Sequence, residues 1–455
     1  MSGCHLHLRE VAEALGGRLL GADGAFDGVG TDTRSLQPGQ LFVALRGPNY
    51  DAHDYIAAAA ARGAVAALVA REVKTELPQI VVADTLAALG QLAAQWRARF
   101  DIPLIEITGS NGKTTVKEML TAILSQRHEV LATPGNFNNE IGLPLTLLRL
   151  DDRHQAAVIE AGASKPGDIA YLTRIAAPSV SVLTNAAGAH LEGFGSLDMV
   201  ARSKGEIFEH LGEGGTAVLN ADDAHAELWR ALAGGHRVIT FALDSAADVR
   251  GQWWPQEVLR NTLEITTPEG EVSVALPLPG RHNAMNALAA TAAALAAGSA
   301  LDEIRAGLES LRPVPGRLCW KAGVNGARLL DDTYNANPAS LAAALEVLVA
   351  APGEHWLALG DMAELGGDAE ALHAQAGERA ARAGVTRLYA VGELSRQAVA
   401  AFVEHGSGVG LHFGARDDLL EQLQADLRRG VTLLVKGSRA AHMDAVVDAL
   451  TEETA

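Results

Sequence analysis

The feature that most constrains the fold is a glycine-bounded turn between a strand-like and a helix-like segment. The apolar run Leu104–Thr108 predicts a buried strand, 109–112 a tight turn, and 113–115 the start of an apolar-periodic helix. Small residues at such a turn let backbone N–H groups face phosphate oxygens at the helix N-terminus. Lys113 adds a positive charge, and the Thr114 hydroxyl can bind Mg²⁺. The segment therefore predicts a phosphate-binding loop.

This loop departs from the general phosphate-loop pattern at one position. Ile107 stands six positions before Lys113, where that pattern has glycine, so the loop is a shorter TGxNGKT variant. The alternative is a tight turn with an incidental lysine, but the flanking strand and helix favour nucleotide binding. We expect the whole loop to contact the nucleotide: Thr108, Gly109, Ser110, Asn111, Gly112, Lys113, Thr114 and Thr115.

Apolar segments alternate with helical patterns beyond the loop. AAVIE at 156–160, VSVLT at 180–184 and TAVLN at 216–220 are strand candidates. Such alternation is typical of a parallel sheet covered on both faces. The run 284–301 is mostly alanine and too weakly hydrophobic for a membrane span, so it predicts a buried helix.

The chain divides into three predicted domains, as its 455 residues suggest. A periodic helix at 84–99 closes a small α/β pattern, and RPVPGR at 312–317 marks a second junction. RLLDDTY, HWLALGDM, RLYAVG and TLLVKGS then predict another parallel sheet. We predict an α/β fold with a small α/β N-terminal domain at 1–98, a central P-loop parallel-sheet ATPase domain at 99–313, and a C-terminal Rossmann-like α/β domain at 314–455.

Two polar residues are expected at the carboxyl ends of strands, the edge at which parallel sheets bind ligands. Glu160 ends AAVIE, and His190 follows VSVLT after a short segment. Beside a triphosphate they suggest ligands for a divalent metal, although either alone is more often a hydrogen-bonded structural residue. Lys204 begins a helical pattern, and the alternative for it is a solvated charge.

Two further segments carry polar side chains in suggestive patterns. Asn283 and Asn286 are three residues apart on one helical face, where they could hydrogen-bond a planar heterocycle or cap the helix. The turn at 331–338, DDTYNANP, follows a strand, and Ser340 could simply cap the next helix. Residues alone do not decide between function and capping here.

Charge and cysteine content exclude some functions. A formal net charge of -18 argues against a broad basic face for long nucleic acids, whereas a small anion needs only a local positive site. Cys4 and Cys319 are too few for a disulfide framework or zinc cluster and suit a reducing compartment. The N-terminus shows no secretory signal. We therefore expect a cytoplasmic protein without membrane insertion.

Eight motifs in order along the chain resemble the Mur ligase family. The resemblance covers nearly the whole sequence, and the loop variant at 108–115 is part of it. The motifs are TDTRSLQPGQLFVALRG at 31–47, TGSNGKTT at 108–115, TPGNFNNEIGLPLTLLRL at 133–150, EAGASKPGDI at 160–169, NAAGAHLEGFGS at 185–196, DDTYNANP at 331–338, LGDMAELG at 359–366 and VKGSR at 435–439.

The resemblance implies roles for individual residues. Lys113, Glu160, His190 and Lys204 would be catalytic, and Lys204, placed before GEIFE, would be carbamylated by CO₂. The implied metal ligands are Thr114, Glu160, His190 and Lys204. Asn283 and Asn286 would lie near adenine, and Arg317 and Asp332 would reach ATP from the third domain. The implied contacts to a uridine nucleotide substrate are Thr33, Arg34, Ser35, Asn136, Asn138 and Asn139.

The resemblance also implies a reaction. The N-terminal pattern TDTRSLQPGQLFVA is typical of the two later-acting members, and the absent Asp-Asn-Pro-Arg motif favours the member that adds a dipeptide over the one that adds the third residue. The expected activity is ATP-dependent joining of D-alanyl-D-alanine to UDP-N-acetylmuramoyl-tripeptide through an acyl phosphate, with two Mg²⁺ ions, by a monomer. The domains at 1–98, 99–313 and 314–455 would bind the UDP-substrate, bind ATP and complete the ligase, respectively.

Three alternatives remain open at this point. They are a ligase for the third residue, a folylpolyglutamate synthase-like ligase, and a nucleotide-binding module without ligase activity. A folylpolyglutamate synthase usually has its phosphate loop close to the N-terminus, whereas about a hundred residues precede the loop here.

Overall fold

Three large β-sheets organise the chain. The computed structural model describes residues 3–188, 191–256 and 260–452. Its large sheets occupy 18–81, 104–276 and 319–436 in sequence order, and helices cover them. The predicted α/β fold of three units is confirmed. Both predicted domain boundaries lie between sheets, and the functional units assigned to them remain predictions.

The N-terminal unit contains a five-stranded sheet of order β2-β7-β6-β5-β4 and a two-stranded ribbon of β1 and β3. The pairings β7/β6, β6/β5 and β5/β4 are parallel, and β2/β7 is antiparallel. Its elements are β1 (His5–His7), α1 (Leu8–Ala14), β2 (Arg18–Leu20), β3 (Ala25–Asp27), β4 (Val29–Gly30), β5 (Leu41–Val43), α2 (Ile56–Ala61), β6 (Ala66–Val69), β7 (Gln79–Val81) and α3 (Thr85–Arg97).

The central unit has a nine-stranded sheet of order β16-β15-β14-β13-β12-β11-β8-β10-β9. Its strands are β8 (Leu104–Thr108), β9 (Val130–Ala132), β10 (Ala156–Glu160), β11 (Val180–Leu183), β12 (Thr216–Asn220), β13 (Arg237–Ala242), β14 (Val249–Gln256), β15 (Arg260–Thr267) and β16 (Gly270–Leu276). Its helices are α4 (Lys113–Leu124), α5 (Gly142–Leu147), α6 (Asp168–Ala176), α7 (Leu191–Phe194), α8 (Leu197–Gly205), α9 (Ala226–Leu232), α10 (Arg281–Ala296) and α11 (Leu301–Glu309).

The four predicted strands of this sheet, β8, β10, β11 and β12, lie side by side and pair in parallel. The prediction left out β9 at one edge and β13 to β16 at the other, where β13 and β14 continue the parallel pairing and β15 and β16 are added through antiparallel pairings. In β15 and β16 buried and exposed residues alternate, as expected when only one face of an antiparallel sheet is covered.

Strand β8 is buried on both faces, which explains its continuous apolar run. Ile105 and Ile107 pack in the core formed with α4 and α10, whereas Leu104 belongs to the core on the opposite face. This burial fixes the strand that ends at the phosphate-binding loop, so the position of the loop is set by the sheet rather than by its own residues.

The C-terminal unit has a six-stranded sheet of order β17-β18-β22-β19-β20-β21, in which only β17 pairs antiparallel. The four predicted strands correspond to β18, β19, β20 and β22. Its elements are β17 (Cys319–Ala322), β18 (Arg328–Asp332), α12 (Pro338–Ala350), β19 (Glu354–Gly360), α13 (Ala369–Arg382), β20 (Arg387–Val391), α14 (Ser395–His405), β21 (Val409–Phe413), α15 (Arg416–Asp426), β22 (Val431–Lys436) and α16 (Asp444–Leu450).

Helix α3 connects the N-terminal and central units. Its N-cap, Asp84, accepts hydrogen bonds from the backbone of residues 86 and 87, which fixes where the helix begins. At its other end the Trp96 indole donates to the Leu150 carbonyl at 3.0 Å, and the buried Arg97 donates to the Ala176 carbonyl at 3.2 Å. The helix therefore shares a core with the central unit. Among the described helices, none has both the length and the apolar character needed to cross a bilayer.

Candidate active site

The phosphate-binding loop lies between β8 and α4 as predicted, and residues after β11 hold it in place. The backbone N–H of Asn111 donates to Asn185 Oδ1 at 3.0 Å, and Thr184 Oγ1 donates to the Asn111 carbonyl at 2.7 Å. Gly112 has a φ of +85°, which favours glycine, and a side chain there would collide with the Asn286 amide. The loop is thus shaped by contacts from two other segments.

Lys113 directs its ammonium into this loop. Its Nζ donates to the Gly109 carbonyl at 2.7 Å. Burial lowers the pKa of Lys113, the Glu160 carboxylate raises it, and the Arg317 guanidinium lowers it further. Lys113, Glu160 and Arg317 therefore act on one another electrostatically, although they come from three different segments.

Thr114 and Glu160 bring two oxygen donors together beside the loop. Thr114 Oγ1 donates to Glu160 Oε2 at 2.9 Å, and both side chains are buried. Mg²⁺ prefers oxygen ligands and usually combines one or two carboxylates with phosphate oxygens. This pair fits that preference. Within the described residues, no group of three or more His, Cys, Asp or Glu could hold a metal ion by itself.

His190, the predicted imidazole ligand, lies outside the described residues. Its assignment as a metal ligand stays a prediction. The helix that follows, α7, carries Phe194, whose ring lies 5.7 Å from the Lys204 ammonium.

Lys204 is buried near the end of α8, with only 2% of its surface exposed. Burial, together with the positive charge of Lys113, lowers its pKa to about 7, although Asp168, Glu206 and Glu160 act in the opposite direction. The interpretation of Lys204 as a solvated helical charge is therefore wrong. In a large fraction of the protein molecules, the Lys204 amine is therefore neutral near neutral pH.

The C-terminal unit reaches the phosphate-binding loop through two side chains. Arg317 Nη2 donates to Thr114 Oγ1 at 2.9 Å, and its guanidinium stacks 4.2 Å from the centre of the Tyr334 ring. Asn337 Nδ2 donates to Asn111 Oδ1 at 2.8 Å. Asn111 and Thr114 thus contact residues more than two hundred positions away in sequence. This brings the third unit to the phosphate-binding loop, as the predicted ATP contacts from that unit require.

Asn337 both caps a helix and contacts the phosphate-binding loop, so it combines the capping role and the functional role that the sequence left open for DDTYNANP. It forms a reciprocal capping box with Ser340, because Ser340 N donates to Asn337 Oδ1 at 2.8 Å and Asn337 N donates to Ser340 Oγ at 3.0 Å. The N-cap is therefore Asn337 rather than Ser340, which is the third residue of α12 and the partner in the capping box. The amide that remains reaches the phosphate-binding loop, so capping and loop contact occur in one residue.

Asp332, the other predicted contact of the third domain, lies at the end of β18. It forms an ion pair with Lys436, which is almost fully buried and also donates to the Asn335 carbonyl at 2.9 Å. A buried ion pair of this kind holds the carboxylate in one orientation. The structure therefore joins Asp332 to VKGSR, a motif to which sequence alone gave no role.

Asn283 and Asn286 are buried at the start of α10. Asn283 Nδ2 donates to the Pro279 carbonyl at 2.8 Å, a local bond of the capping type, and Asn286 Nδ2 donates to Asn283 Oδ1 at 3.3 Å. Asn286 also contacts Gly112, so the pair lies against the phosphate-binding loop. Beside them, burial lowers the pKa of His282 to about 4, although Asp332 raises it.

The predicted substrate residues lie in two separate groups. Thr33 and Arg34 line a surface cavity of about 330 Å³, while Ser35 and Arg34 both bond to the neighbouring Asp32. In the other group, Asn136 is exposed, Asn139 accepts from the backbone at the start of α5, and Asn138 donates to Glu160. Asn138 therefore lies beside the Glu160 carboxylate rather than with the other predicted substrate residues.

Sequence reasoning missed several residues at this site: Asn337, Lys436, Thr133, whose hydroxyl accepts from Glu160 N, and Lys117, which donates to the Thr133 carbonyl. Lys117 could have been found, because it follows Lys113 by four residues on α4 and so lies on the same helical face. Asn337 and Lys436 are inside quoted motifs, but their contacts depend on how two units pack. No local pattern reports that packing.

Family descriptions and a known relative match nearly the whole chain. The description "Mur ligase family, catalytic domain" matches residues 25–97, "Mur ligase middle domain" 107–294, and "Mur ligase, glutamate ligase domain" 316–439. The UDP-N-acetylmuramoyl-tripeptide--D-alanyl-D-alanine ligase of Escherichia coli K12 is 47% identical over 449 residues, which are 98% of each chain.

Solved structures agree with the sequence similarity. MurF from Acinetobacter baumannii superposes with a TM-score of 0.92 at 34% identity, covering 98% of this chain and 99% of that one. MurF ligase from Thermotoga maritima in complex with ADP gives a TM-score of 0.83 at 29% identity, covering 93% and 96%. The resemblance inferred from eight motifs is therefore confirmed, and the chain belongs to the Mur ligase family.

Proposed function

We propose that this chain is an ATP-dependent peptide ligase that joins D-alanyl-D-alanine to UDP-N-acetylmuramoyl-tripeptide in peptidoglycan synthesis. The observation that carries the proposal is its similarity, over the full length of both chains, to the E. coli enzyme named for that reaction. The products would be UDP-MurNAc-pentapeptide, ADP and phosphate. The contacts of Arg317 and Asn337 with the phosphate-binding loop support an ATP site completed by the third unit.

The reaction divides into two transfers. A terminal carboxylate oxygen of the tripeptide attacks the γ-phosphorus, and the bond to the ADP oxygen breaks, giving an acyl phosphate. The amine of D-alanyl-D-alanine then attacks the acyl carbon, loses a proton and displaces phosphate. Lys113 and Arg317 would stabilise the negative charge on the transferred group. Packing of the third unit over the loop would exclude water, which otherwise hydrolyses an acyl phosphate.

Mg²⁺ fits the oxygen donors that the site brings together. Thr114, Glu160, His190 and Lys204 would hold two ions, and bound Mg²⁺ would neutralise the charge of the phosphates. Thr114 and Glu160 already lie within hydrogen-bond distance of each other. Asn283 and Asn286 would contact adenine beside the loop, and Asp332, oriented by Lys436, would reach the ribose or phosphate side of ATP.

A lysine can join Mg²⁺ ligands only after its charge is removed. The neutral amine of Lys204 would attack the carbon of CO₂ and release a proton, which leaves a carbamate anion on Nζ. Burial favours the neutral amine, and its pKa of about 7 makes that form abundant at neutral pH. The carbamate oxygens would then supply the carboxylate-like ligand that the lysine itself lacks.

The N-terminal unit would bind the UDP-linked substrate. We assign Thr33, Arg34, Ser35, Asn136, Asn138 and Asn139 to this substrate, and the cavity beside Thr33 and Arg34 supports part of the assignment. Both cysteines are buried and free, which suits the reducing cytoplasm. The partners would be small molecules, and the active species a monomer.

Phosphate release measured with each substrate omitted in turn tests the function. We expect turnover of ATP only when UDP-N-acetylmuramoyl-tripeptide and D-alanyl-D-alanine are both present. Equal turnover without either one would overturn the proposal. Turnover with the UDP-dipeptide and a free diamino acid would favour the ligase that adds the third residue, and turnover with a folate and glutamate would favour the folylpolyglutamate synthase-like alternative.

A Lys204→Ala variant tests the carbamate separately. We expect it to lose activity and to regain part of it when acetate or another short carboxylic acid is added, because the acid can occupy the position of the carbamate. Carbon-13 NMR of the wild type in ¹³CO₂ should show one carbamate signal that is missing in the variant. Absence of both the signal and the recovery would refute carbamylation without affecting the ligase assignment.

A further inference from the structure

The loop at 133–139, between β9 and α5, reaches the carboxylate of Glu160 through Asn138. Asn138 Nδ2 donates to Glu160 Oε1 at 2.8 Å, while Thr114 Oγ1 donates to Oε2 at 2.9 Å. Each carboxylate oxygen therefore has its own donor, one from the loop and one from α4. The carboxylate cannot rotate without breaking one of these bonds.

The loop at 133–139 is held in place at Thr133 and again at Asn138. Glu160 N donates to Thr133 Oγ1 at 2.9 Å, and Lys117 Nζ donates to the Thr133 carbonyl at 3.0 Å. Lys117 and Thr133 are both almost fully buried. At the other end of the loop, Gly162 N donates to the Asn138 carbonyl at 2.8 Å. The position of Asn138 is therefore set relative to the end of β10, the strand that carries Glu160.

Gly162 permits this approach because it has no side chain. A Cβ atom at 162 would lie 2.8 Å from Asn138 Oδ1 and 3.2 Å from its Nδ2. These atoms form the end of a side chain, so an alanine at 162 would displace the amide at little cost to the backbone. The Asn138 amide therefore packs directly against the backbone of Gly162 beside Glu160.

We infer that Asn138 is a positioning residue for the metal-binding carboxylate of Glu160, and that Lys117 and Gly162 support it by fixing the 133–139 loop. The inference rests on the proposed function, which makes Glu160 a ligand of Mg²⁺. Partners that orient a metal ligand raise metal affinity because the ligand needs no rearrangement on binding. Asn138 would thus act through Glu160, in addition to any contact with the UDP-linked substrate.

Binding of Mn²⁺ in the presence of ADP, measured by electron paramagnetic resonance, tests the inference without turnover. We expect Asn138→Ala to weaken Mn²⁺ binding about 10-fold, while ADP binding without metal stays unchanged. Gly162→Ala should weaken Mn²⁺ binding in the same way, although Asn138 and Glu160 are both still present. Phe137→Ala is the matched control, because Phe137 is half exposed in the same loop and should leave Mn²⁺ binding unchanged.

The variant Glu160→Gln separates the positioning role of Asn138 from the proposed metal-binding role of Glu160. If Glu160→Gln binds Mn²⁺ weakly while Asn138→Ala and Gly162→Ala bind it like the wild type, the inference is wrong and the proposed function stands. If Glu160→Gln binds Mn²⁺ normally, the metal role of Glu160 fails and the inference fails with it. An equal loss in Phe137→Ala would indicate general loop damage and also refute a specific role for Asn138. Should Asn138→Ala unfold, Gly162→Ala alone decides.

Discussion

The phosphate-binding loop is held by residues distant in sequence, whereas the turn at 33–35 is held by a residue close to it in sequence. Thr114 bonds to Glu160 and to Arg317, which lie 46 and 203 positions away in sequence. Arg34 and Ser35 bond instead to Asp32, two and three positions away, and 89% of the Arg34 side chain is exposed. The fold therefore preorganises the first region, whereas the second can change conformation when its ligand arrives.

Replacing Lys113 should have the largest effect and should appear in the chemical step. Lys113→Ala removes the charge that we propose to stabilise the transferred phosphoryl, and loss of one such preorganised group costs about 10²- to 10³-fold in kcat. Phosphate release under saturating substrates measures it. The KM for the UDP-linked substrate should change little, since the nucleotide contacts proposed for it at residues 33–35 lie in the N-terminal unit. A raised KM with normal kcat would break the distinction between the two regions.

Replacing Arg34 should give a smaller effect, in binding rather than in turnover. Arg34→Ala should raise the KM for the UDP-linked substrate about 10-fold, the value of one lost charge-assisted hydrogen bond, and leave kcat unchanged. The guanidinium lowers the pKa of Asp32 to about 2, so the pair persists throughout the neutral range and the KM effect should not vary between pH 6 and 8.

Arg18→Ala provides the matched control for that measurement. Arg18 is an exposed arginine of the same unit, is 3.8 Å from Glu72, and does not line the cavity beside Thr33. It should keep the KM of the wild type. Equal increases in both variants would mean that general positive charge, rather than a contact at Arg34, attracts the substrate.

The same contrast explains what sequence could predict. Segments with a strong local signal were found: the phosphate-binding loop follows a buried strand and opens a helix, and Glu160 and Asp332 end apolar strands. Those signals are local, because strand burial and turn geometry depend on adjacent residues. Strands β14 to β16 were not predicted, although buried and exposed residues alternate along β15 and β16 as in a half-buried hairpin.

Contacts between units could not be predicted in the same way. Asn337 lies in a turn whose sequence equally suits a helix cap, and its bond to Asn111 exists only because two units pack together. Asn138 was grouped with the substrate residues by its motif, yet its amide bonds to Glu160. Periodicity and spacing describe one element at a time, so they cannot identify partners brought together by tertiary packing.

Glu106 tests whether burial beside the loop implies a role in catalysis. It lies on β8, two residues before Thr108, and is fully buried. Within the described structure neither carboxyl oxygen has a partner in good hydrogen-bond geometry, although the Thr173 hydroxyl lies close enough to favour the charged form. Burial raises its pKa to about 8, and the Thr173 hydroxyl lowers it. We expect Glu106→Gln to leave kcat unchanged, unlike Lys113→Ala, and to alter only stability.

The sign of that stability effect follows from the raised pKa of Glu106. An unfolded chain ionises Glu106 near its ordinary pKa of 4.5, whereas the folded protein keeps it protonated up to about 8. Stability contributed by the neutral carboxyl is therefore complete below pH 4.5 and is lost as pH rises to 8, on the order of a few kcal/mol. Thermal midpoints at pH 5 and pH 8 should differ less in Glu106→Gln than in the wild type.

Thr173→Val should increase the difference between the two midpoints, because it removes the hydroxyl that favours ionisation of Glu106. Identical pH dependence in all three proteins would show that Glu106 does not titrate in this range.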